Sequence, residues 1–125
     1  MPIHKEMGKR IKVSDYPYCE VDEKIRIVHP ANYSGEGGKI PTALCSKFEK
    51  NIISGHNHQV GIQTSLSGKY WGMDHGWSGD EKKIEYYKMQ INTSRTWQNG
   101  FSMVKNGKPY LFPLKFTDWD YWLGK

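Results

Sequence analysis

The succession of strand-like and helix-like segments over residues 25–58 limits the possible folds of this chain more than any other feature. The strings IRIVH and NIIS are rich in β-branched residues and read as short strands. Residues 41–50 between them read as a helix, because Leu44 and Phe48 lie four residues apart on one face and Asn51 can end the helix in a left-handed conformation. Strand, helix, strand is the pattern of a parallel βαβ unit, so the sequence predicts an α/β fold here.

The second half of the chain carries the signals of antiparallel hairpins. Residues 59–77 contain two alternating segments, and residues 97–116 contain two apolar runs joined by Asn106-Gly107, a turn typical of hairpins. Residues 78–96 are hydrophilic and are compatible with either strand or helix. We therefore expect a single domain, residues 1–125, in which a βαβ unit is followed by antiparallel strands and hairpins.

Composition argues against several classes of protein. No apolar stretch approaches the roughly 20 residues of a membrane-spanning helix. Residues 1–10 are polar and lack the apolar core of a signal peptide, so we expect no membrane partner and a cytoplasmic location, in the host cytoplasm if the chain is viral. Cys19 and Cys45 fit reduced thiols better than a disulfide scaffold, and the chain has no C-x-x-C pair. The formal net charge of +5 favours a polyanionic or phosphorylated partner.

Glycine occupies three of the four positions from Gly35 to Gly38, which predicts a loop after the first strand. The loop does not end in the Lys-Ser/Thr of a phosphate-binding P-loop, and its spacing differs from the dinucleotide-binding fingerprint. Two interpretations stay open: a tight turn, or a loop that approaches a ligand.

The string GHNH places His56 and His58 one residue apart, directly after a glycine. Neutral imidazole is the commonest metal ligand in proteins, so both are candidate ligands; the alternative is a pair of ordinary loop histidines. His29 ends the preceding predicted strand, and a parallel βαβ unit would bring all three imidazoles to one sheet edge, where ligands bind in open α/β sheets. Asn57 can hydrogen-bond locally and shape the loop between the histidines; Asn57 and Gln59 are also candidate substrate contacts.

Residues 25–58 resemble the C-terminal motif region of calcineurin-like metallophosphoesterases. In both, a strand ending in His is followed by a glycine-rich loop, a helix and a strand ending in Gly-His-x-His. The phage and bacterial forms are the most similar, since a later Trp-x-x-Gly-Phe hairpin also matches theirs, and the resemblance covers residues 25–114. It implies a hydrolase of phosphomonoesters or phosphodiesters with an α/β sandwich fold. It also implies that His29 and His56 bind one divalent ion and His58 another, the ions being manganese, zinc, iron or magnesium, with His56 and His58 in the catalytic centre.

The chain departs from the family at several positions. Pro30 stands where a glycine often follows the first histidine, and Gln59 stands where a basic residue is common; both departures concern substrate handling. The family's earlier motifs, Asp-x-His and Gly-Asn-His, do not occur in this sequence, and its one Gly-Asp pair, Gly79-Asp80, follows GHNH instead of preceding it. The resemblance therefore implies the C-terminal half of the enzyme, inactive alone, with a second polypeptide as the upstream half or a homo-oligomer that covers the same surface.

Three functional hypotheses follow. The first is a subunit of a split metallophosphoesterase acting on a phosphorylated substrate, a nucleotide or nucleic acid among the candidates. The second is a catalytically degenerate homologue that serves as a binding or inhibitory module. The third is an unrelated small basic nucleic-acid-binding protein. The first is favoured because all three histidine ligands are present. We also predict that Trp97, Phe101 and the hairpin at 103–112 pack structurally and do not bind substrate.

Overall fold

The computed structural model of the protein describes residues 16–80 and 97–125. Residues 1–10, and all but the first three residues of the segment at 78–96, lie outside the described residues, so the predictions for them stay open. The elements in chain order are β1 (Tyr18–Val21), β2 (Ile25–Val28), α1 (Lys39–Phe48), β3 (Asn51–Ser54), β4 (Val60–Thr64), β5 (Trp71–His75), β6 (Gly100–Lys105), β7 (Lys108–Pro113) and α2 (Trp119–Trp122).

The first five strands form one mixed sheet in the order β1-β2-β3-β5-β4. Strand β3 pairs in parallel with β2 on one side and with β5 on the other. The two outer strands, β1 and β4, are antiparallel to their neighbours. Because α1 connects β2 to β3, the predicted βαβ unit is confirmed, and the described part of the chain is a mixed α/β fold.

The helix ends earlier than the sequence predicts. Glu49, with φ of 53°, adopts the left-handed conformation that we expected at Asn51. Asn51 is instead the first residue of β3, where it is aligned with Ile25 of β2. Its side-chain Oδ1 accepts a hydrogen bond from the backbone N of Trp71 at 3.0 Å. The prediction was wrong because strand pairing and this hydrogen bond outweigh the local preference of asparagine for helix ends.

Helix α1 lies so close to one face of the sheet that β5 has no room for a side chain at Gly72. A Cβ atom there would overlap the backbone of Thr42 in the helix. Pro41 and Cys45 of α1 are buried in the same contact, and the Cys45 thiol donates a hydrogen bond to the Trp71 carbonyl oxygen at 3.2 Å. The helix therefore packs directly on the strand backbone.

The opposite face of the sheet carries the apolar core. Ile25, Ile53 and Met73, from three adjacent strands, have exposed fractions of 1%, 5% and 0%. Val104 of β6 and Leu111 of β7 pack against them. The helix therefore packs on one face of the sheet, and the β6–β7 hairpin packs against the core cluster on the other.

Both predicted hairpins are present. Strands β4 and β5 pair antiparallel, and so do β6 and β7. The second hairpin turns at Asn106 and Gly107, whose φ angles of 53° and 74° fit a type I′ turn. In this hairpin Phe112 is 3% exposed and Phe101 is 45% exposed, so the predicted packing role applies more fully to Phe112. Within the described residues, no helix is both long enough and apolar enough to cross a membrane.

The two cysteines are expected to differ sharply in reactivity. Cys19 is exposed, whereas Cys45 is buried, and burial raises the pKa of the Cys45 thiol to about 11. At pH 8 about one Cys45 thiol in a thousand would be ionised, and the thiolate is the nucleophile. A thiol-reactive disulfide reagent should therefore modify one cysteine in the native chain and two in denaturant. Cys19→Ser should abolish the native reaction; two rapid native reactions would contradict the burial of Cys45.

Candidate functional site

The carboxyl ends of three parallel strands meet at one edge of the sheet. Val28 of β2, Ser54 of β3 and Asp74 of β5 are aligned across these strands. His29 follows directly after β2, and His75 is the last residue of β5. In open α/β sheets ligands bind outside this edge, because the loops that leave the strands there diverge and form a crevice.

His29 and His56 are in direct contact at this edge. Their ring centroids lie 4.5 Å apart, with an angle of 61° between the ring planes. Tyr33, in the loop after His29, stands edge-on to His56 with a centroid separation of 6.3 Å, and it is 51% exposed. The structure thus brings together two of the three predicted metal ligands, which come from separate loops.

His58 lies in an aromatic environment. Its ring stacks on Trp77, with centroids 5.0 Å apart, and the ring of Trp97 meets it edge-on at 4.4 Å. Burial lowers the pKa of His58, and the charges of His56 and His29 lower it further; both effects favour the neutral imidazole, which is the form that binds metals. Trp97, predicted to be a structural residue, therefore packs against a candidate ligand.

The candidate ligands do not make up a complete metal site within the described residues. Among residues 16–80 and 97–125, no group of three or more His, Cys, Asp and Glu side chains is arranged to hold a metal ion. His29 and His56 offer two nitrogen donors, whereas protein zinc sites generally use three or four ligands. Imidazoles also bring no negative charge to offset the repulsion between two divalent ions. The imidazoles of His29 and His56 could therefore serve as two ligands of one ion. A complete site for two ions would need further ligands, carboxylates in particular.

The two residues predicted as candidate substrate contacts are buried. Asn57 is 0% exposed and Gln59 is 3% exposed. The Asn57 side chain accepts a hydrogen bond from the backbone N of Ser34 at 3.0 Å and donates one to Asp74 at 2.9 Å. The carbonyl oxygen of Gln59 accepts a hydrogen bond from Gly76 N at 2.9 Å. Both residues thus hold the histidine loop in place, and a contact between them and substrate stays a prediction.

No match is found when the chain is compared with protein-family models, with curated proteins or with solved structures. The resemblance to metallophosphoesterases therefore rests on the order of motifs in the sequence. The functional inference depends on that order together with the geometry of the histidines.

Asp74 is the residue at this edge that sequence reasoning missed. It is 0% exposed, and its Oδ2 accepts hydrogen bonds from Asn57 Nδ2 at 2.9 Å and from Gly38 N at 2.8 Å. Burial raises the pKa of the Asp74 carboxyl, and these hydrogen bonds and the nearby Ser54 hydroxyl oppose that rise. The sequence does contain a signal that could have identified Asp74: an acidic residue inside the strand-like string WGMDH. A carboxylate that is buried in a strand needs hydrogen-bond partners, and those partners mark a structured site.

Glycines around the site make room for neighbouring groups. A Cβ at Gly37 would lie 2.6 Å from the Val60 carbonyl oxygen, so the glycine-rich loop rests on the backbone of β4. A Cβ at Gly55, just before His56, would lie 2.6 Å from His75 Nε2. Close packing therefore accounts for these two glycines, and an approach of the glycine-rich loop to a ligand stays a prediction.

Proposed function

We propose that this chain supplies the histidine half of a binuclear metal-dependent phosphoesterase, as one half of an α/β sandwich whose upstream half provides the other ligands. The observation that carries the proposal is the 4.5 Å contact between the rings of His29 and His56 at the carboxyl edge of parallel strands. The order of motifs from the first of these histidines to the Trp-x-x-Gly-Phe hairpin supports the same function.

In this proposal His29 and His56 hold one divalent ion and His58 contributes to the other. When bound, a metal pair supplies a nucleophile at neutral pH and stabilises the charge on the phosphoryl oxygens. The two indoles that pack on His58 restrict the orientation of its ring, and burial lowers its pKa. The net charge of +5 is consistent with a phosphorylated substrate.

The need for further ligands follows from electrostatics. Catalytic metal pairs lie about 3.5–4 Å apart, and two divalent ions at that distance repel strongly unless anionic ligands surround them. Asp74, which the described residues place at this edge, has a fully buried carboxylate whose Oδ2 already accepts two hydrogen bonds. We therefore assign the carboxylates of the complete site to the upstream half.

Exposed apolar residues on the sheet support a partner. Val21 of β1 and Ile27 of β2 are 36% and 39% exposed. Through the strand register they share a face with the buried core residues Ile25 and Ile53. An upstream polypeptide or a second copy of this chain that covered this face would bury them.

Metal binding by the isolated chain tests the proposal. The untagged chain should bind Mn²⁺ or Zn²⁺ weakly, and the His29→Ala/His56→Ala variant should lose at least ~10-fold in affinity, because both donors of the pair are removed. Isothermal titration calorimetry measures the affinity. His75→Ala is the matched control, since it removes an imidazole outside the proposed ligand set, and it should bind as the wild type does. Equal affinity of all three proteins would contradict the proposal.

A further inference from the structure

Asn57 lies between the two histidines of GHNH, and hydrogen bonds fix both ends of its side chain. Its Oδ1 accepts from the backbone N of Ser34, in the loop that follows His29, at 3.0 Å. Its Nδ2 donates to Asp74 Oδ2 at 2.9 Å. One buried amide therefore connects the loop of the first histidine to the loop of the other two.

Asp74 anchors this amide to the sheet. It lies in β5 beside Ser54 of β3, so its position is fixed by the pairing of two central strands. The same oxygen that accepts from Asn57 also accepts from Gly38 N at 2.8 Å, at the start of α1. The carboxyl group thus lies at the amino end of α1, where the helix dipole favours negative charge.

We infer that Asp74 is a positioning residue for the histidine pair, acting through Asn57. The inference rests on the proposed function, because the pair is taken to be a metal half-site. Asp74 does not itself bind the metal in this scheme. It holds the two loops at the separation at which the rings of His29 and His56 meet.

The physical reason is that both side chains are completely buried, with exposed fractions of 0%. Loss of the Asp74 carboxylate leaves Asn57 Nδ2 and Gly38 N without their acceptor, and unpaired buried donors are unfavourable. The loops would then shift until these groups reach water or another acceptor. Metal ligands tolerate such shifts poorly, because affinity depends on pre-organised donors.

Four variants of the full chain separate positioning from general stability. Asp74→Ala and Asn57→Ala each break the connection. Asp74→Asn should preserve it, because one amide oxygen at the Oδ2 position can accept from both donors. Cys45→Ala is the matched control: it creates a defect in the same helix–sheet contact, away from the histidine loop.

The first readout is the affinity for Zn²⁺ measured by calorimetry. We expect a loss of about 10–100-fold in Asp74→Ala and in Asn57→Ala, as for residues that orient metal ligands. Asp74→Asn and Cys45→Ala should stay within a few-fold of the wild type. The double variant should lose no more than either single variant, since both remove the same connection.

The second readout needs no metal: the ring NMR signals of His29, His56 and His58 in each variant. Both alanine variants that break the connection should shift these signals, whereas Asp74→Asn and Cys45→Ala should leave them in place.

The inference would be overturned if Asp74→Ala and Asn57→Ala kept both their ring signals and their affinity for Zn²⁺. If only His29→Ala/His56→Ala then lost binding, the proposed function would still stand. Absence of histidine-dependent binding in the wild type would instead overturn the proposed function, and the ring signals alone would then decide whether Asp74 positions the loop. If Asp74→Ala does not fold, Asn57→Ala decides.

Discussion

Combined with a polypeptide that carries the Asp-x-His, Gly-Asp and Gly-Asn-His motifs, this chain is expected to hydrolyse bis-p-nitrophenyl phosphate in a metal-dependent reaction. The His56→Ala/His58→Ala variant should lose more activity than the ~10–100-fold typical of residues that only orient ligands, because it removes donors from both ions. The chain alone should hydrolyse this ester no faster than its own double variant, since its imidazoles provide no anionic ligand. Release of p-nitrophenol measures the rate.

Two other outcomes would change the assignment. Robust, histidine-dependent hydrolysis by the chain alone would show that the remaining ligands come from within this sequence. No activity in the mixture, despite binding between the two polypeptides, would favour the degenerate binding or inhibitory module. His75→Ala serves as the matched control in both experiments, because it removes an imidazole at the same sheet edge that is not a proposed ligand.

Gly72→Ala is expected to destabilise the fold by about 3 kcal/mol or more, at the upper end of the range for overpacked sites. The added Cβ would overlap the backbone of Thr42, so the whole of α1 must move away from the sheet. A flexible side chain could rotate aside, but a helix backbone cannot. Because the total stability of a domain is about 5–15 kcal/mol, this single methyl group should remove a large fraction of it. Urea denaturation followed by tryptophan fluorescence measures the free energy of unfolding.

Gly35→Ala is the matched control for this substitution. A Cβ at Gly35 meets nothing within 4 Å, and Gly35 does not have the positive φ that favours glycine. Its free energy of unfolding should therefore stay within about 0.5 kcal/mol of the wild type, as for ordinary surface substitutions. Equal stabilities of the two variants would show that α1 does not pack on Gly72 as the structure places it.

The elements predicted from the sequence are those whose signals are local. The strand, helix and strand over residues 25–58 follow from β-branched runs and from the i, i+4 spacing of Leu44 and Phe48. The hairpin at Asn106-Gly107 follows from two residues that readily adopt positive φ. These features depend on neighbours in the chain, so the sequence is sufficient to identify them. Asn51 shows the limit, because its pairing in β3 overrides its local preference.

The sequence by itself predicted that three histidines follow or adjoin strand ends, and hence that all three imidazoles would share one edge of a parallel sheet. Of these, His29 and His56 are in direct ring contact. Only the tertiary structure decided that β5 lies between β3 and β4, which places Asp74 beside Ser54 and within reach of Asn57. It also decided that indoles surround His58. Strand order and buried contacts join residues far apart in the chain through packing and hydrogen bonding, and no local pattern records which distant residues will meet.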